Sequence, residues 1–193
     1  MAHVISSDRL NPQRSAVMLV DLQEKLCPAI DAAPSVIQKA LVLTDACDEM
    51  DIPRAATVQY RRGLGELVQP LNERYPEPFE KLDFSAAACR EPIENWQSQN
   101  RDQILLVGIE THICILQTAL DLAAEGKQPH VILDLVVSRN KTDHRAGIER
   151  MRGCGIKILT LESVLFEWLG SSRHKNFKCI SSMVKNLNQG RPC

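Results

Sequence analysis

Aromatic side chains are scarce in this chain of 193 residues, at 4%, and no basic excess accompanies them, since the formal net charge is -1 at pH 7. Nucleic-acid surfaces combine basic clusters with exposed aromatic rings, so both shortages disfavour such a partner. No apolar run approaches the roughly 20 residues that a membrane-spanning helix needs. The opening stretch, MAHVISSDRLNPQRS, has no apolar signal core, and Asp8 and Pro12 interrupt the amphipathic pattern of an organelle leader. Residues 1–14 are therefore expected to form a flexible leader. The cytoplasm is the expected compartment, with a mitochondrial address as the alternative. The seven cysteines are odd in number, scattered, and without a C-x-x-C pair. They read as free thiols in a reducing environment rather than as a disulfide framework. The five histidines lack ligand spacing, and no G-x-G-x-x-G follows the first strand. Neither a metal nor a dinucleotide cofactor is expected.

What is present is an alternation of apolar strands and amphipathic helices. Residues 16–20 (AVMLV), 55–58, 104–107, 131–133 and 156–159 read as strands. Helical spacing runs over 34–50, 91–100, from about His112 to Glu125, over 142–152 and over 162–169. Gly126 suits a helix end. The stretch from Arg61 to Ser85, rich in Gly, Pro and charge, reads as loops with one short helix. Strands that are apolar throughout and separated by helices imply a parallel sheet covered on both faces. The expected fold is a three-layer, doubly wound, Rossmann-like α/β domain spanning the whole chain, with five or six parallel strands. In such sheets, sites form outside the carboxyl ends of the strands.

Two strand ends carry chemistry. Asp21 follows four apolar residues at the end of the first strand, where a carboxylate must find a partner. After residues 104–107, the segment Gly108-Ile109-Glu110-Thr111-His112-Ile113-Cys114 leads into a helix. With Thr111 as its N-cap, Cys114 falls in the first turn, where free N–H groups and the helix dipole favour a thiolate. The competing reading is a cysteine packed against the sheet, and spacing alone weighs the two about evenly. Lys81, between Phe79 and Phe84, could serve as the cation for Asp21, although alone it reads as surface charge.

These residues resemble the isochorismatase-like cysteine hydrolases, a superfamily that includes nicotinamidases and N-carbamoylsarcosine amidase. The resemblance spans nearly the whole chain. It is carried by Val20-Asp21-Leu22-Gln23, Lys81-Leu82-Asp83-Phe84-Ser85-Ala86, the Gly108–Cys114 segment and Gln117-Thr118-Ala119-Leu120-Asp121-Leu122. Val137-Ser138-Arg139 and Glu162-Ser163-Val164-Leu165-Phe166-Glu167-Trp168-Leu169 extend it. The last of these is similar to a subgroup that includes trypanosomatid proteins labelled mitochondria-associated ribonucleases. The resemblance implies a catalytic triad of Asp21, Lys81 and Cys114. It also implies a cis peptide between Ile109 and Glu110, and an oxyanion hole made by the N–H groups of Glu110 and Cys114. Where nicotinamidases of this family carry a D-x-H metal motif, this chain reads Gln59-Tyr60-Arg61, which puts both the metal and nicotinamide in doubt.

The activity implied is metal-independent hydrolysis of a small amide-like or ester substrate through a Cys114 thioester. Gln23, Gln59, Tyr60, Phe84, Ile109 and His112 flank the triad in sequence and are the candidate pocket residues. A homo-oligomer is expected, because Val164, Leu165, Phe166, Trp168 and Leu169 offer more apolar surface than one sheet face can readily cover. The alternatives are a ribonuclease or RNA-associated protein, and a non-catalytic oligomeric interaction protein on the same fold. An intact triad argues against the second.

Overall fold

The computed structural model describes residues 4–188. The first strand, β1 (Ser15–Val20), is buried at every position, and its side chains alternate between two cores. Val17 and Leu19 point to one face of the sheet, while Ala16, Met18 and Val20 point to the other. That period of two explains why a strand buried on both faces reads as a continuous apolar run. The chain continues through α1 (Ala33–Glu49), with Pro34 in its first turn, into β2 (Arg54–Gln59).

The stretch from Arg61 to Ser85, expected as loops with one short helix, instead holds two single-turn helices and a strand. These are α2 (Arg61–Leu64), α3 (Leu71–Arg74) and β3 (Phe79–Lys81). A three-residue edge strand has too few alternating positions to show a period in sequence. Next come α4 (Arg90–Ser98), β4 (Gln103–Ile109), a wide turn of π-helical geometry (Thr111–Ile115) and α5 (Leu116–Ala124). The chain ends with β5 (Gln128–Val137), α6 (Lys141–Gly153), β6 (Lys157–Leu159), α7 (Leu161–Leu169) and α8 (Phe177–Asn188). The helix α8 lies beyond the element expected to close the chain. Its apolar residues Phe177, Ile180, Val184 and Leu187 keep helical spacing but are diluted by Lys, Ser and Asn.

The six strands are all parallel and ordered β3-β2-β1-β4-β5-β6. Helices α1, α7 and α8 cover one face, and α4, α5 and α6 cover the other. The order reverses between β1 and β4, so the crevice outside their carboxyl ends is where a site is expected. Gly108 makes their approach tight. Its φ is +117°, and a Cβ there would lie 2.0 Å from the Val20 carbonyl oxygen.

Two expectations need correction. The apolar face of α7 does not await a second copy. Val164, Leu165, Trp168 and Leu169 are buried within the chain, and the half-exposed Phe166 meets Phe177 of α8 edge to face at 6.5 Å. The leader is fastened over its second half. Leu10 is buried, and its N–H donates to Glu167; Gln103 bonds the backbone of Arg9 and Asn11; Arg14 pairs bidentately with Asp102. Residues 1–3 lie outside the described residues. No described helix is long and apolar enough to cross a membrane.

Candidate active site

Asp21 leaves the end of β1 with a positive φ of 55° and is fully buried. An aspartate tolerates that left-handed conformation better than most residues, which lets the chain turn while its carboxylate stays at the carboxyl end of the central strand. Oδ1 accepts a hydrogen bond of 2.8 Å from the Thr57 hydroxyl on β2. Oδ2 lies 2.7 Å from the Lys81 ammonium, with both side chains almost wholly inaccessible. Apart from that ion-pair contact, Oδ2 has no hydrogen-bond partner of regular geometry among the described residues.

Lys81 comes from the end of edge strand β3, beside Gln59 of β2, and reaches Asp21 at the end of β1. Its Nζ donates to Gln59 Oε1 at 2.6 Å and to the carbonyl of Phe84 at 3.1 Å, and it stands 3.7 Å from Cys114 Sγ. A buried ammonium needs such a cage to remain in place, since its desolvation is costly. Cys114 is 7% exposed, in the wide turn after β4. Burial first, and then the Asp21 charge, push its thiol up to about 12, while Lys81 works in the opposite direction. The carbonyl of Cys114 accepts from Thr118 Oγ1 at 2.6 Å, and Thr118 Oγ1 in turn accepts from the Ala86 N–H at 2.7 Å. Thr118 thus ties the thiol-bearing turn to the segment that follows Lys81.

The Ile109–Glu110 peptide is cis. Glu110, with extended backbone, occupies the cap position expected for Thr111, and its carbonyl accepts from the N–H groups of Ile113 and Ile115. The Thr111 hydroxyl meets His144 Nδ1 at 2.9 Å instead of capping the turn.

The six candidate pocket residues divide into three kinds of placement. Tyr60 and Phe84 are half-exposed and meet Lys81 through their backbones, Tyr60 donating its N–H to the Lys81 carbonyl and the Phe84 carbonyl accepting from Nζ. Gln59 belongs to the site through Lys81, while its Nε2 donates to the Leu82 carbonyl. The other three are held elsewhere. Ile109 is in the core, His112 bonds Ser138 at 2.9 Å, and Gln23 spends its whole amide on the backbone of Gln59 and Gly65. Gln23 therefore shapes the loop after β2 and offers no amide atom to a ligand. Thr57 and Thr118 escaped the sequence reading. Thr57 is a hydroxyl inside an apolar strand, and Thr118 shares the buried helix face with Ala119 and Leu122.

Among the described residues, no three His, Cys, Asp or Glu side chains converge as metal ligands. The groups assembled are one carboxylate, one ammonium and one thiol. That set suits proton transfer and nucleophilic attack.

The isochorismatase domain family matches residues 15–163. Isochorismatase domain-containing protein 2A of Mus musculus is 36% identical over 180 residues, covering 93% of this chain and 87% of that protein. The solved structure of MAR1 ribonuclease from Caenorhabditis elegans superposes with a TM-score of 0.85 at 36% identity, covering 92% of each chain. The YcaC gene product of Escherichia coli, described as an octameric hydrolase of unknown specificity, shares the fold with a TM-score of 0.83 at 21% identity, over 96% of both chains.

Proposed function

The chain belongs to the isochorismatase family, and from that premise we propose that it is a metal-independent cysteine hydrolase acting on a small amide-like or ester substrate through a Cys114 thioester. The observation that carries this reading is the buried meeting of Asp21, Lys81 and Cys114 at the switch point of the sheet. With its thiol pushed up to about 12, Cys114 holds its proton at rest near neutral pH, so attack requires a base at the moment of reaction. Asp21 Oδ2 is that base, and Thr57 holds the carboxylate in orientation through Oδ1.

Sulfur attacks the carbonyl carbon as its proton passes to Asp21. The resulting oxyanion is received by the N–H groups of Glu110 and Cys114. Collapse breaks the C–N or C–O bond, and Asp21 returns the proton to the departing amine or alkoxide. Water then attacks the thioester by the same proton route, releasing the acid and the thiol. Lys81 balances the carboxylate while the charge moves. The octameric assembly described for the YcaC protein supports self-association of this chain as well.

A ribonuclease activity is the competing reading, supported by the name of the Caenorhabditis elegans relative. The site fits it poorly. The lysine is committed to Asp21 and Gln59, and a thiol this buried cannot reach a phosphodiester within a polymer.

The deciding experiment is a hydrolysis screen over small amides, carbamates, esters and labelled RNA, run on wild type and Cys114→Ala in parallel. Turnover of a small substrate that falls about a thousandfold or more in the variant is expected. Hydrolysis that survives unchanged overturns the mechanism.

A further inference from the structure

Three consecutive side chains at the root of the thiol-bearing turn are bound to a single neighbouring segment. Glu110 accepts the Arg139 backbone N–H at 2.8 Å, and Arg139 Nε lies 3.1 Å from one of its oxygens and 3.2 Å from the other. Thr111 meets His144 at 2.9 Å, and His112 meets Ser138 at 2.9 Å. All three partners sit between the end of β5 and the first turns of α6, within residues 138–144. They lie past the last β4–β5 ladder pair, Ile109↔Val137, so the sheet is already joined without them. The helix α6 also presses on the turn directly, since a Cβ on Gly147 would sit 3.0 Å from the Cα of His112.

A register shift in β5 makes this alignment. Leu106 pairs with Val131, but two residues later Gly108 pairs with Val136. The three extra β5 residues are taken up at the shift, so Ser138 and Arg139 stand beside Glu110 where Leu135 and Val136 would otherwise lie.

We propose that Ser138, Arg139 and His144 are positioning residues that act through His112, Glu110 and Thr111 to aim the N–H groups of Glu110 and Cys114 at the reacting oxygen. The proposal rests on the hydrolase reading above and deepens it. None of the three touches the triad. Their loss should leave the nucleophile intact and damage only the step that develops an oxyanion. A misplacement of about 1 Å in such a site costs on the order of a hundredfold in rate.

Two reagents separate these effects. Iodoacetamide alkylates the thiol by displacing iodide, with no oxyanion formed. p-Nitrophenyl acetate acylates it: the S–C bond forms, the thiol proton passes to Asp21, a tetrahedral oxyanion appears, and p-nitrophenolate leaves. Alkylation is followed at Cys114 by peptide mapping, and acylation by the p-nitrophenolate release that Cys114→Ala lacks, in wild type, His144→Ala, His144→Asn, Arg139→Ala and Gly147→Ala. The expected result is acylation slowed about 10- to 100-fold in His144→Ala, Arg139→Ala and Gly147→Ala, with alkylation within about twofold of wild type. His144→Asn, whose amide can still bond Thr111, should recover most of the acylation rate. Acylation equal to wild type in His144→Ala and Arg139→Ala overturns the positioning role. So does alkylation that falls in step with acylation, because a general loss of structure would then be the cause. A wild-type protein that is alkylated at Cys114 but releases no more p-nitrophenolate than Cys114→Ala refutes the hydrolase reading itself, and the positioning role with it.

Discussion

Cys114 illustrates how opposing effects on one residue are settled by burial. A helix-start position and a nearby ammonium both favour a thiolate, yet removal from water and the Asp21 carboxylate outweigh them, and the thiol is pushed up to about 12. The two partners therefore have opposite signs. Asp21→Asn removes a cause of the upward shift and should leave Cys114 alkylation near neutral pH as fast as in wild type or faster. The same variant should lose turnover by about 100-fold or more, because the base is gone. Lys81→Ala removes the one charge that lowers the thiol and should slow alkylation. Wild-type Cys114 labelling should keep rising between about pH 8.5 and 11 instead of levelling near the value of a free cysteine. Iodoacetamide labelling with peptide mapping across that range tests all of these. A plateau at low pH, or equal rates in Asp21→Asn and Lys81→Ala, would contradict the assignment. Mapping is essential because Cys154 is exposed and is attacked on access alone. Lys81→Ala also strands a buried carboxylate, so a stability loss of about 3–5 kcal/mol should accompany it in urea unfolding.

Among the elements, β4 is the one that brings the two halves of the site together. Val20 pairs with Gly108, so Asp21 and Ile109 leave their strands side by side. Gly108→Ala would place a Cβ against the Val20 carbonyl at a backbone angle that L-residues rarely adopt. Strain and overpacking together predict a loss of about 3 kcal/mol or more, read from the urea midpoint at unchanged m-value. A variant of wild-type stability would show that β4 can retreat from β1. The helix α7 offers a contrasting, purely local case. Thr160 and Ser163 form a reciprocal capping box at its start, a pattern of hydroxyls that is visible in sequence. Thr160→Ala should cost about 1 kcal/mol in the same measurement and leave Cys114 reactivity untouched.

At the scale of the whole molecule, pH acts through a histidine far from the triad. His130 on β5 is buried, and its Nδ1 sits 2.7 Å from the Gln128 carbonyl. Desolvation lowers its imidazole and outweighs the Gln128 bond and the charges of Glu167 and Asp102, while Lys157 adds to the lowering. Because the folded value lies below the unfolded one, the unfolded chain binds more protons in the interval between them. Stability from this group is complete above about pH 6.5 and is lost as pH falls through that value. Urea unfolding at pH 7.5 and 5.5 should show the decline, at most about 1.4 kcal/mol per pH unit for one histidine. His130→Gln should flatten it, and an unchanged slope would assign the decline to other groups. Self-association belongs to this scale too. With α7 covered from within, the self-association proposed above needs apolar surface elsewhere, and the exposed large apolar side chains among the described residues are Val4, Ile5, Tyr60, Leu82, Phe84 and Phe166. Sedimentation at micromolar concentration should show a species larger than a monomer, and a monomer alone would reject the proposal.

The alternating apolar runs by themselves determined the class of fold, the parallel sheet and the strand ends at which Asp21 and Cys114 stand. Burial within one strand or helix leaves a period in the residues that form it, and that signal is local. Lys81 shows the opposite. Its partnership with Asp21 could be inferred only through a family resemblance, because a three-residue edge strand leaves no period of its own and the pairing depends on β3 lying outside β2. Gln23 had the composition of a pocket residue, and only the packing of the loop after β2 turned its amide inward. Nothing local marks Arg139 and His144 as partners of the turn, and it is the register shift in β5 that sets them against Glu110 and Thr111. Contacts between residues far apart in the chain are set by strand order and register. Those follow from the summed packing of both cores, which no single segment encodes.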